Sequence, residues 1–169
     1  MDKYDIIVLG SGPAGQRAAI QAASRFGVPA IRNPFDSLRP NYLWSGARQF
    51  RTLGTLKRFL GGVGTRVFSS AFEHAKTAAQ MRAPDHFFGI VLTGSLQPDM
   101  LAEVVRGIPE GISELMCHPG YVDEDLRRED PRLKLKREAE LRALTDRRVL
   151  SALQECRVEL INYNFLIQR

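Results

Sequence analysis

The feature that most constrains this chain is an alternation. Short apolar runs bounded by glycine or proline recur, and each is followed by a stretch with helical spacing. Residues 4–9 (YDIIVL) are a β-branched run ending at Gly10, the pattern of a buried strand. Residues 15–25 (GQRAAIQAASR) are alanine-rich and unbroken, which predicts a helix. Residues 27–32 read as a turn and a short strand that Pro29 weakens. Residues 33–47 are loop-like, and helices are expected over 48–60 and 66–82 around a Gly61-Gly62-Val63-Gly64 hinge. A strand over 87–92 stops at Thr93-Gly94. Met100, Leu101, Val104 and Val105 share one face of a helix over 99–106. Residues 111–117 form the next strand. Residues 123–153 are charged and helical, with a stripe of Leu141, Leu144, Val149, Leu150 and Leu153. Residues 158–163 (VELINY) are expected to be the last strand.

Strands that alternate with helices imply an α/β fold with a mostly parallel sheet and helical crossovers. Five expected strands are too few to close an eight-stranded barrel. That leaves an open, mostly parallel sheet or a partial, barrel-like (β/α) arrangement. At 169 residues the chain is one domain, or one and a fraction. A chain of that length buries about 70% of its unfolded surface, enough for a core. Its 44% apolar and 25% charged residues are those of an ordinary globular protein. No apolar run approaches the roughly 18 residues a membrane span needs. Acids precede the first apolar run, which is wrong for a secretory signal. Cys117 and Cys156 form no CxxC, which argues against a disulfide framework or a cysteine zinc site, so a cytoplasmic location is expected.

The net charge of +5 is unevenly placed. Between residues 39 and 82, Arg39, Arg48, Arg51, Lys57, Arg58, Arg66, Lys76 and Arg82 face a single acid, Glu73. A solvated helical region beside an anionic or sugar-binding cleft accounts for this better than a nucleic-acid partner, because no nucleic-acid-binding module is recognisable.

Two segments carry chemistry. The first is Gly10-Ser11-Gly12-Pro13-Ala14-Gly15, set between a strand and a helix. Gly10, Gly12 and Gly15 in that context allow a tight turn and close approach of a pyrophosphate to the helix N-terminus. With Tyr4-Asp5-Ile6-Ile7-Val8-Leu9 before them and Ala18-Ala19-Ile20-Gln21-Ala22-Ala23 after, they resemble the FAD-binding start of flavoprotein disulfide reductases and soluble transhydrogenases. That resemblance implies FAD as an alternative cofactor, with residues 1–23 as its unit. A second strand ending in an acid is needed to hold the ribose. Here that place carries Arg32, and Asp36, beyond Pro34, is the nearest acid. The other reading of the glycines is a plain strand-to-helix turn.

The second segment is Glu114-Leu115-Met116-Cys117-His118-Pro119-Gly120-Tyr121-Val122-Asp123. It delivers a carboxylate and a histidine to the end of a strand, at the rim of a parallel sheet where ligands bind. Glu114 and His118 lie four positions apart, so an extended chain points both to one face and Cys117 to the other.

From about residue 24 onward the chain resembles the C-terminal half of YdjC-type carbohydrate deacetylases, especially the branch associated with hopanoid biosynthesis. The residues that carry this are Arg25-Phe26-Gly27-Val28-Pro29-Ala30-Ile31-Arg32, Asp85-His86-Phe87-Phe88-Gly89-Ile90, the segment from Glu114 to Asp123, Arg137-Glu138-Ala139-Glu140-Leu141 and Leu160-Ile161-Asn162-Tyr163. The resemblance implies a hydrolase that removes acetyl groups from N-acetylated sugars or glycolipids with a divalent metal such as magnesium. Such an ion polarises the amide carbonyl and activates water, while a carboxylate and a histidine move protons. It makes His118 the candidate acid and Glu114 its candidate partner, with Arg32, His86 and Asp123 as candidate substrate contacts. Each has a plainer reading: His118 as a cap of the Pro119-Gly120 turn, His86 as a half-buried strand residue, Glu114 as a polar residue of the sheet, Arg32 as a salt-bridge partner. The family draws its metal ligands from an N-terminal half with an Asp-Asp pair and a histidine-rich strand, and no such segments occur here. His74, His86 and His118 are widely separated and show no metal-ligand spacing, so no metal site is assigned. The expectation is a truncated or fused deacetylase, weak or inactive alone, with a second copy or a chain supplying the missing half as candidate partners. The alternatives are an FAD- or NAD-binding oxidoreductase fragment, or a non-catalytic sugar-binding or assembly subunit.

Overall fold

The computed structural model describes residues 13–37, 66–92, 96–124 and 131–168. The expected strand at 4–9, Gly10 and Gly12, the helix at 48–60, the hinge at 61–64 and the Thr93-Gly94 stop lie outside the described residues.

Helix α1 spans Pro13–Arg25. A proline suits the first helical turn, where its missing N–H has no partner to lose. The helix ends in a Schellman motif. Gly27 adopts φ +67°, its N–H donates to the Ser24 carbonyl at 3.3 Å, and the Val28 N–H donates to Ala23 at 2.8 Å. The chain then runs beside residues 81–88. The Ile31 N–H donates to Arg82 at 2.8 Å and the Ser37 N–H to Phe87 at 2.7 Å. This pairing is parallel but occurs as two bridges, Ala30 with Arg82 and Asp36 with Phe87. Pro34 stands between them and has no N–H to continue a ladder.

A 3₁₀ turn, Arg66–Phe68, leads into α2, Ser69–Ala78. Strand β1 covers only His86–Phe88, shorter than the 87–92 expected. Gly89 sits at φ +134°, and a Cβ there would strike the Met116 carbonyl. The Asp36 carboxylate holds the departing turn by accepting from the N–H groups of Gly89 at 3.1 Å and Val91 at 2.8 Å. Helix α3, Pro98–Arg106, buries Met100, Leu101, Ala102, Val104 and Val105. Strand β2, Ser113–Leu115, pairs parallel to β1 with Phe87 opposite Glu114 and Phe88 opposite Leu115.

The charged region beyond residue 123 holds two helices, α4 at Pro131–Leu144 and α5 at Arg147–Glu155. Asp146 divides them: its side chain accepts the Arg148 N–H at 2.9 Å, an N-cap that starts a new helix. Leu144, Val149 and Leu153 pack in one cluster across the break, and Leu150, 49% exposed, is the member of the expected stripe that points away. Asp99 pairs with Arg148 and Arg106 with Glu155, start to start and end to end. Helices α3 and α5 therefore run parallel.

Residues 158–162 are not the strand expected. The Asn162 side chain accepts from the N–H groups of Asn164 at 3.0 Å and Phe165 at 3.4 Å and starts a short helix, α6, Tyr163–Gln168. Capping by asparagine overrides the β-branched composition of the run. Of the two arrangements expected, the described residues show a small open parallel sheet with helices, an α/β architecture.

The packing forms two clusters. The larger joins Phe88 of β1 to α3, α4 and α5 through Leu101, Val105, Ala143, Val149 and Ala152, with Leu115 and Cys117 packed against it. The smaller joins α1 to α2 through Ile20, Phe35, Phe72 and Met81. There the rings of Phe35 and Phe72 meet edge to face at 5.5 Å.

Candidate functional site

Strand alternation decides what each sheet face carries. Phe88, Leu115 and Cys117 point toward the helices. Phe87 and Glu114, one position earlier on each strand, therefore point to the opposite face. Arg32 reaches this second face from the segment beside β1. Its Nε and Nη2 each lie 2.6 Å from Glu114 Oε1. Its guanidinium carbon stands 5.6 Å from the centroid of the Phe87 ring, within cation–π range. From the other end of the chain, the Tyr163 hydroxyl donates to Glu114 Oε2 at 2.7 Å. Partial burial and the neighbouring Glu114 carboxylate push the Tyr163 phenol up to about 12, against the opposing pull of Arg32.

Glu114 is thus held on both oxygens, and its side chain is only 12% exposed. Arg32, at 53%, presents the rest of its donor edge to solvent. A fixed guanidinium backed by a carboxylate and a phenol suits a ligand with several hydroxyl groups, which need both donors and acceptors.

The rim beyond β2 is built differently. Glu140 of α4 is 2% exposed and accepts the backbone N–H of His118 at 2.5 Å. The Gly120 N–H donates to the Arg137 carbonyl at 3.3 Å. Two points on α4 therefore seat the Cys117–Gly120 turn. Burial, and secondarily Glu140, push the Cys117 thiol up, which suits packing rather than nucleophilic attack.

The structure brings Arg32 and Glu114 together. It leaves His118 exposed beyond the strand end, and Glu114 is engaged by Arg32 and Tyr163 rather than by the histidine. His86 lies opposite Ser113, on the face that carries Phe88 rather than the one that carries Glu114. Asp123 is exposed. Gly15 lies within α1, and Asp36, weighed as a ribose ligand, is fully buried with its oxygens on the Gly89 and Val91 amides. That placement takes Asp36 out of reach of a dinucleotide. Among the described residues no group of three or more His, Cys, Asp and Glu lies together that could hold a metal ion. They do not fit the divalent ion that the family resemblance implies.

Three contributors escaped sequence reasoning. Tyr163 read as a strand end, and only Asn162 before it signals a helix start. Glu140 read as one acid in a solvated charge run, although it lies three residues from Arg137 on one helix face. Asp36 was weighed as a ribose ligand, a reading that says nothing of backbone partners more than fifty positions away.

Residues 11–155 match the family described as YdjC-like protein. The match opens at Ser11, inside the glycine-rich turn. The chain is also 31% identical over 88 residues to a carbohydrate deacetylase of Thermoanaerobacter pseudethanolicus (strain ATCC 33223 / 39E). That alignment covers 52% of this chain and 35% of the relative. No solved structure matches the chain. With most of its length inside the family match, the chain belongs to the YdjC-like protein family.

Proposed function

We propose that this chain is a truncated or fused carbohydrate deacetylase that binds an N-acetylated sugar, free or on a glycolipid, and hydrolyses it slowly or not at all by itself. The sugar class is supported by the name of the relative from Thermoanaerobacter pseudethanolicus. The glycolipid arm, and a cytoplasmic site of action, follow the resemblance to the hopanoid-associated branch.

The observation that carries the low activity is the state of Glu114. Deacetylation adds water to the amide carbonyl, then breaks the C–N bond as the departing amine takes a proton, leaving acetate as the second product. The group that activates the water needs a free acceptor. Glu114 spends one oxygen on Arg32 and the other on Tyr163. Both oxygens already accept hydrogen bonds, which leaves few of the carboxylate's lone pairs for a water. In this reading Arg32 binds sugar hydroxyls, His118 at the rim serves as the proton donor once the remaining groups are supplied, and Asp123 contacts the substrate's outer parts, while His86, on the other face of the ribbon, takes no part. A second copy or another chain provides what is missing.

The test is acetate release. Purified chain is incubated with N-acetylglucosamine, with and without magnesium, and free acetate is quantified. No release above the blank is expected in either arm. Magnesium-dependent release that scales with protein contradicts the proposal.

A further inference from the structure

The open face holds one group that neither the chain's motifs nor its family resemblance assigns a role. Tyr163 stands at the first position of a six-residue helix, a poor place for a structural anchor. Next to it in the chain Leu160 and Phe165 are exposed, and within α6 only Leu166 is buried. Yet the Tyr163 hydroxyl donates to the Glu114 carboxylate, 12% exposed, at the oxygen Arg32 does not use. A second fastening holds the helix in register: Arg82 Nη1 donates to the Leu166 carbonyl at 3.0 Å.

A carboxylate bound at one oxygen can still swing about its side-chain torsions. Bound at both oxygens by groups from opposite ends of the chain, it has one orientation. That orientation fixes where the Arg32 guanidinium lies on Phe87, and so where its free N–H groups point. We infer that Tyr163 is a positioning residue for sugar binding, which acts through Glu114 to hold the donor edge of Arg32 toward the ligand. The inference rests on the reading that this face takes an N-acetylated sugar. The charged and titratable groups that meet Tyr163 are Glu114 from β2 and Arg32 from the segment beside β1.

The experiment pairs two measurements on the full chain. The Tyr163 phenol is titrated by NMR of ring-labelled tyrosine, with Tyr163→Phe identifying the signal. Binding of N-acetylglucosamine is measured for wild type and Tyr163→Phe, with melting temperature as the control. The expected result is a phenol that titrates well above the ordinary tyrosine range and moves back toward it in Glu114→Gln. With it, Tyr163→Phe should lose about fivefold to tenfold in affinity, the size of one hydrogen bond, at an unchanged melting temperature. A phenol that titrates in the ordinary range overturns the inference and leaves the sugar reading intact. So does Tyr163→Phe binding sugar as tightly as wild type. Wild type that binds no sugar while the phenol is shifted brings down the sugar reading, and the positioning role with it.

Discussion

The two faces of the β1–β2 ribbon use the same backbone for opposite ends. Phe88 and Leu115 meet α3, α4 and α5 in an apolar cluster, and on the same helix α4 the buried Glu140 is spent on a backbone amide. One residue earlier on each strand, Phe87 and Glu114 lie under Arg32 and Tyr163, with a guanidinium more than half exposed. The first face gains its free energy from area removed from water and contact density. The second gains little net from its ion pair, because desolvating the Glu114 carboxylate to 12% exposure offsets much of its attraction to Arg32. A group held at little gain in stability is a candidate for binding, whereas a closed core explains itself.

This contrast can be broken by mutation, and the largest expected effect is on the covered face. Phe88→Ala should cost about 3–5 kcal/mol, as large-to-small changes in closed cores do. Arg32→Met, which leaves Glu114 with Tyr163 alone, should cost about 2 kcal/mol in the same denaturant titration while removing sugar binding. Equal losses from the two substitutions would erase the distinction between the faces.

Asp36 sharpens the comparison, because it is a carboxylate placed for structure. Asp36→Ala strips the Gly89 and Val91 amides of their acceptor inside the fold. A loss of about 3 kcal/mol is expected, larger than for Glu114→Gln on the open face. Thermal unfolding of the two variants side by side makes the measurement, and a milder Asp36→Ala would show that the turn after β1 finds other partners.

The smallest effect has the opposite sign. Helices α2 and α5 close with the same Schellman hydrogen bonds as α1, but with Gln80 and Arg157 at φ +53° where α1 has glycine. Arg157→Gly should stabilise the chain by about 1 kcal/mol, since left-handed backbone is strained for residues with a Cβ. A melting temperature that falls instead would mean the Arg157 side chain makes contacts that outweigh its strain.

How much of this was legible in the sequence depends on how far the deciding contact reaches. Helices α1 and α3 could be read, because alanine content and the Met100, Leu101, Val104, Val105 spacing are local. β2 could be read from its glycine boundary and apolar alternation. The end of β1 could not, because Asp36 closes it from more than fifty positions away. The last segment was misread because strand propensity was weighed and the Asn162 cap was not. In the candidate site, Arg32 and Glu114 were legible as charged residues at strand ends. Their partner Tyr163 was not, since its placement depends on that same misread turn.

The most direct measurement is an NMR titration of the full chain with N-acetylglucosamine, following the Arg32 side-chain N–H signals and the backbone amides of both faces. Saturable shifts at Arg32, Glu114 and Tyr163, with the Leu101, Val105 and Ala152 amides unmoved, are the predicted result. No saturable shift at Arg32, or shifts confined to the α3–α5 side, would contradict the assignment of the open face to sugar binding.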